Sequence, residues 1–127
     1  MTAPTTTVTT TAPAPADLAP LPISGATAHR RRTAGALLID IRPQVARHQG
    51  TIDRALIMDT ADIADTFGSH PPIRLRQLTR DRDLIVCSVS GRRARPVAEQ
   101  LIRLGYTHVY YLAGGFDAWQ SAHRTGH

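Results

Sequence analysis

Four short apolar runs, Leu37-Leu38-Ile39-Asp40-Ile41, Ala55-Leu56-Ile57-Met58, Leu84-Ile85-Val86-Cys87 and Val109-Tyr110-Tyr111-Leu112, are separated by segments with helical patterning. This alternation constrains the fold more than any other feature of the chain. A run of four or five apolar residues without polar alternation has no solvent face, so it reads as a strand covered on both sides. Strands of that kind belong to parallel sheets, whose crossover connections are helices. The expectation is an α/β fold: a single domain with a largely parallel central sheet flanked by helices.

The intervening segments carry matching helix signals. Ser24 reads as the N-cap of a helix that runs to about Thr33 and ends near Gly35. After Pro43 a short helix is expected over Val45 to His48. Asp59 or Thr60 then caps a helix whose Ile63, Ala64 and Phe67 share a face. Gly68 to Thr79, with Pro71-Pro72, reads as a loop and a weak helical turn. The best-defined helix follows residue 90. Its Ala94, Val97, Ala98, Leu101 and Ile102 recur at three- and four-residue spacing, with Pro96 expected in the first turn and Gly105 as the stop. Gly114-Gly115 turns the chain into a last helix from Phe116 to His123.

Residues 1–22 are almost entirely Thr, Ala and Pro, too poor in apolar mass to offset the entropy of ordering. They are expected to form a disordered tail ahead of one domain over residues 23–124. The tail lacks the basic start and continuous apolar run of a signal peptide, and no segment approaches the ~20 apolar residues of a membrane span. With a single cysteine, which fits a reducing compartment, the expectation is a soluble cytoplasmic protein with no membrane partner. The net charge is +5 and all fifteen basic residues are arginine. Apart from Arg30-Arg31-Arg32 they are scattered, and few aromatics exist to stack on bases, so no nucleic-acid partner is expected. The histidines show no metal-ligand spacing with the cysteine, and His123 and His127 read as surface residues near a fraying end. Neither a metal nor another cofactor is implied.

The chemistry concentrates where the third apolar run meets Ser88-Val89-Ser90-Gly91-Arg92-Arg93. In such a loop several backbone N–H groups can converge on one point, and arginines plus a following helix N-terminus add positive potential. An anion is favoured there, and a thiol held there loses its proton more readily. Cys87 sits at that junction. It reads either as a small buried hydrophobe or as an activated nucleophile. Asp40 also falls at a strand carboxyl end, where folds of this type bind ligands, and Asp40 and Arg42 read as a local pair that holds the loops.

Three stretches in order resemble the rhodanese-like domain family over about residues 22 to 123. The first is Leu38-Ile39-Asp40-Ile41-Arg42, followed at family spacing by Gly50, Ile52 and Ala55. The second is Ser90-Gly91-Arg92-Arg93. The third runs from Gly105-Tyr106 through Val109-Tyr110 to Gly114-Gly115-Phe116-Asp117-Ala118-Trp119. The resemblance implies transfer of a sulfane sulfur, from a small anionic donor such as thiosulfate to a thiol or protein acceptor, through a persulfide on a loop cysteine. Such chemistry needs a thiolate, N–H donors around the moving sulfur and cations for the donor's anionic end.

Family loops commonly read Cys-x-x-Gly-x-Arg, and three residues before Gly91 stands Ser88, with Cys87 one place earlier. The spacing from Asp81 to Ser88 and from Gly91 to Gly105 is gapless against the family pattern. Thr51, Asp53 and Arg54 stand where His, Pro and Gly are usual, and Ala46 where glutamate is common. Three readings follow. In the first, the chain is a sulfurtransferase with Cys87 as nucleophile, Ser88, Val89, Ser90, Gly91, Arg92 and Arg93 as the anion cradle, and Asp40 and Arg42 in support. In the second, Ser88 occupies the nucleophile's place, and the domain is a catalytically silent module that binds an anion or a protein partner. In the third, Cys87 to Arg93 is the Cys-x5-Arg ring of a phosphatase or arsenate reductase on the same scaffold, with room for a tetrahedral oxyanion.

Overall fold

The computed structural model describes residues 19–68 and 78–126. Five strands, β1 (Leu21–Ile23), β2 (Leu37–Asp40), β3 (Leu56–Ile57), β4 (Leu84–Cys87) and β5 (Val109–Leu112), form one sheet in the order β1-β5-β4-β2-β3. Every adjacent pair is parallel. The longest helices are α1 (Gly25–Thr33), α3 (Gly91–Arg103) and α4 (Gly115–Gly126). A single α-turn, α2 (Ile63–Phe67), follows a 3-10 turn over Thr60–Asp62, and another 3-10 segment covers Gln44–Gln49. The α/β fold with a parallel sheet is as the apolar runs imply.

The central strands divide the core by strict alternation. Ile39, Leu84, Val86 and Val109 face α2 and α3, where they pack with Ile63, Phe67, Val97 and Leu101. Leu38, Ile85, Cys87, Tyr110 and Leu112 face the other way and pack with Ala28, Phe116 and Trp119 of α1 and α4. Ser24 caps α1 as its sequence implied, its side chain accepting from the Thr27 N–H. All five apolar positions named for α3 are buried.

Several local expectations need correction. The boundary at residue 22 cuts through β1, since Leu21 and Pro22 pair with Tyr110 and Tyr111. An edge strand of three residues, partnered on one side only, carries too little apolar density to stand out. Residues 1–18 of the expected tail, and most of the Gly68–Thr79 loop, lie outside the described residues. Ala64 is exposed, and only Ile63 and Phe67 of that trio turn inward. Helix α3 begins at Gly91, so Pro96 lies in its second turn rather than its first. There the ring deprives the Arg92 carbonyl of its usual helical donor.

Candidate anion-binding site

The loop between β4 and α3 is only three residues long, Ser88 to Ser90. Strand β4 delivers it at the carboxyl edge of the sheet, and α3 leaves from it with Ser90 as its N-cap residue. The first N–H groups of α3 have no intrahelical acceptors, and they open toward the loop together with the positive end of the helix dipole. Of these, the Arg93 N–H turns back to the Ser90 carbonyl at 3.2 Å. Arg92 and Arg93 are both exposed, and neither forms an ion pair among the described residues.

Two glycines let the loop sit where it does. A side chain at Gly91 would collide with the Ala113 carbonyl, and one at Gly115 with the Val89 carbonyl. Gly115 also has φ +68°, the left-handed region that glycine enters without steric cost. The chain after β5 therefore lies directly against the loop, and the Phe116 N–H donates to the Ser88 carbonyl at 2.9 Å. Sequence reading treated Gly114-Gly115-Phe116 as a turn and missed this role as a brace. The signal available was the glycine pair itself, beyond what a helix start requires.

Asp40 and Arg42 form the second support. Arg42 donates through Nε and Nη2 to the two Asp40 carboxylate oxygens at 3.0 and 2.9 Å, and its backbone N–H donates to Oδ1 at 3.0 Å. Both side chains are buried, at 1% and 0% exposure. The guanidinium also reaches the Gly50 carbonyl at 2.9 Å and lies 3.8 Å above the Phe116 ring. One pair thus ties the end of β2 to the 42–50 segment and to the brace. Nη1 of Arg42 is buried with no hydrogen-bond partner among the described residues.

Cys87 and Ser88 are adjacent and both buried, and only Cys87 is part of a hydrophobic core cluster. Cys87 is the last residue of β4, pairs in register with Asp40, and is 0% exposed. Its side chain belongs to the α1–α4 core beside Leu38, Ile85 and Phe116. Burial pushes its thiol up to about 12, reinforced by the Asp40 carboxylate and opposed by Arg42. A thiol so raised is protonated at neutral pH. Ser88, the first residue past the strand, heads the loop and is 2% exposed. The Cys-x5-Arg ring would need the Cys87 side chain among the loop's N–H groups, and it lies instead in the core. Among the described residues no group of His, Cys, Asp and Glu side chains is arranged to hold a metal ion, and no helix is long and apolar enough to cross a membrane.

The profile described as Rhodanese-like domain matches residues 25–122. The chain is 32% identical over 92 residues to thiosulfate sulfurtransferase GlpE of Pseudomonas fluorescens, covering 72% of this chain and 77% of that protein. It is 34% identical over 87 residues to a sulfurtransferase of Allochromatium vinosum, covering 68% and 74%. The human single-domain sulfurtransferase TSTD1 superposes with a TM-score of 0.65 at 23% identity, covering 79% of this chain and 95% of that one, a likeness of fold.

Proposed function

The chain belongs to the rhodanese-like domain family, and from that premise we propose that it binds a small sulfur oxyanion of the thiosulfate class at the 88–93 loop without carrying a persulfide. The observation that carries this reading is the phase of β4. Alternation turns Cys87 into the α1–α4 core, and the gapless spacing leaves Ser88 at the head of the cradle. A serine hydroxyl is a poor nucleophile toward sulfur and cannot hold the transferred atom, so sulfur transfer of the usual kind stops. The cradle itself survives, because it is made of backbone N–H groups, a helix N-terminus and the guanidinium groups of Arg92 and Arg93. A single cysteine is compatible with a cytoplasmic setting.

A second reading, sulfur transfer through Cys87, is favoured by the names of the curated relatives, which are thiosulfate sulfurtransferases. One experiment separates the two. Intact-protein mass spectrometry after incubation with thiosulfate is expected to leave the wild type unmodified. Ser88→Cys is expected to gain one sulfur. Its thiolate attacks the outer sulfur of thiosulfate, the thiosulfate S–S bond breaks, and sulfite leaves with the bonding electrons. Cyanide then removes that sulfur as thiocyanate. One sulfur on the wild type that is absent from Cys87→Ala would overturn the proposal and assign the transfer to Cys87.

A further inference from the structure

None of the residues around an open cavity of about 390 Å3 belongs to the 88–93 loop. Its walls include His29 and Arg32 of α1, Thr51, Ile52 and Arg54 of the segment before β3, and Trp119 of α4. That volume lies in the range of small-molecule sites, roughly 300–1,000 Å3. Three independent features point to a ligand there.

The first is an unmet donor. Nη2 of Arg32 donates to the Asp53 carbonyl at 2.7 Å, while its Nη1 is shut off from solvent with no hydrogen-bond partner among the described residues. A buried cationic N–H without an acceptor is costly, and because Arg32 is only half-buried, a small turn of its guanidinium would bring Nη1 to a ligand oxygen in the cavity. The second is a strained backbone. Arg54 is the one non-glycine among the described residues with positive φ, at 62°. A conformation that glycine adopts freely is kept here under strain while the position carries a guanidinium. Strain of this kind gathers where a side chain is needed.

The third is charge. Arg54 lowers the pKa of Arg32, although burial lowers it more and Asp53 opposes both. Two guanidinium groups therefore line this cavity with one carboxylate, the Arg54 and Asp53 side chains being 86% and 97% exposed and 3.9 Å apart. Together the two guanidinium groups outweigh the weakly negative C-terminus of α1.

We propose that this cavity is a second ligand site that takes a small organic phosphate. The phosphate lies between Arg32 and Arg54, and the organic part lies along Trp119 and Ile52. Guanidinium forks match phosphate oxygens in geometry, and the Thr51 hydroxyl adds a further donor. A bare ion would leave most of the volume and the apolar wall unused. The His29 ring stacks on Trp119 at 3.7 Å and 18° and covers one face of the indole, while Arg32 lies 5.7 Å from the ring centre, so the ligand meets the part of the indole that these two leave open.

Trp119 is the only tryptophan, so its fluorescence reports on this cavity directly. Titration with AMP is expected to give a saturable change with a Kd of about 1 mM or tighter. Inorganic phosphate and adenosine, each carrying half of the recognition, are expected to bind at least tenfold more weakly. Arg54→Gly is expected to fold with an undiminished Tm yet bind AMP at least tenfold more weakly, and Arg93→Ala to titrate like wild type. Three results overturn the proposal: no saturable change with AMP, AMP binding no tighter than inorganic phosphate, or binding that survives Arg54→Gly and is lost in Arg93→Ala. The last would move the phosphate to the 88–93 loop. None of these outcomes depends on whether Ser88 or Cys87 handles sulfur.

Discussion

Cys87 is expected to be chemically inert in the folded protein, and the size of the effect follows from its surroundings. At pH 8 an unfolded cysteine with a pKa of ~8.5 is about one-quarter thiolate. With a pKa of about 12, Cys87 is about one ten-thousandth thiolate at the same pH, a deficit of roughly two-thousandfold. The more basic thiolate is the better nucleophile, and a Brønsted slope of ~0.4–0.5 returns about thirtyfold to fiftyfold over that interval. Electrostatics and desolvation alone therefore slow the thiol by about fortyfold to seventyfold. Closure adds to this, because a side chain with 0% exposure must wait for an opening of the α1–α4 core. Global opening populates only about one molecule in several thousand, even at the ~5 kcal/mol lower end of domain stability. Iodoacetamide alkylation, followed by intact mass in native buffer and in denaturant at one pH, measures the ratio. The expected ratio is about a hundredfold or more. Native alkylation within tenfold of the unfolded rate would refute the reasoning, and with it the assignment of Cys87 to the core.

The remaining predictions concern the supports. Asp40→Asn leaves the Arg42 guanidinium buried opposite a neutral partner, and a urea melt is expected to show a loss of about 3–5 kcal/mol. Arg54→Gly relieves a left-handed backbone worth about 1–2 kcal/mol to an L residue, at the cost of glycine's extra chain entropy and a solvated Asp53 contact; thermal denaturation is expected to show a Tm that is unchanged or a few degrees higher. Arg93→Ala weakens sulfate or thiosulfate binding, read from amide shifts of Val89 to Arg92, and the wild-type affinity falls as ionic strength rises. The neutral Cys87 thiol contributes stability that is fully present below the unfolded pKa of ~8.5 and is lost as pH rises toward about 12. Cys87→Ala is therefore expected to be less stable at neutral pH but to lose less stability between pH 9 and 12, by up to about 1.4 kcal/mol per pH unit.

The sheet was legible because its central strands leave no choice. Leu37–Ile41 and Leu84–Cys87 are apolar at consecutive positions, which only a doubly covered strand accommodates. The inner face of α3 was legible because 3.6-residue periodicity is explicit in Ala94, Val97, Ala98, Leu101 and Ile102. The first edge strand was not, since Leu21-Pro22-Ile23 pairs on one side only and Leu21 is largely exposed. The loop's place at the carboxyl edge of the sheet could be read from the strand–glycine–helix order. Which way Cys87 faces could not be read from β4 alone, because four apolar residues in a row carry no phase. The phase comes from neighbours distant in sequence: Asp40, opposite Cys87 in register, and Phe116, which packs beneath it.

That dependence on phase explains how binding and transfer can separate in one loop. In the proposed cradle the parts that hold an anion are backbone N–H groups fixed by Gly91 and Gly115, the start of α3, and arginines on its first turn; none of them depends on the side chain at residue 88. Covalent transfer depends on that side chain alone. Because alternate strand residues point to opposite faces, a thiol one place earlier does not become a slightly misplaced nucleophile. It becomes part of a different layer, beside Asp40, where burial and a neighbouring carboxylate both disfavour its ionised form. Moving sulfur chemistry to Cys87 would therefore require turning the end of β4 over. That would break the Cys87 carbonyl's hydrogen bond from the Ile41 N–H and the Ser88 carbonyl's hydrogen bond from the Phe116 N–H, both 2.9 Å. A single substitution at residue 88 requires neither, so under the proposed function the route to sulfur transfer in this scaffold runs through residue 88.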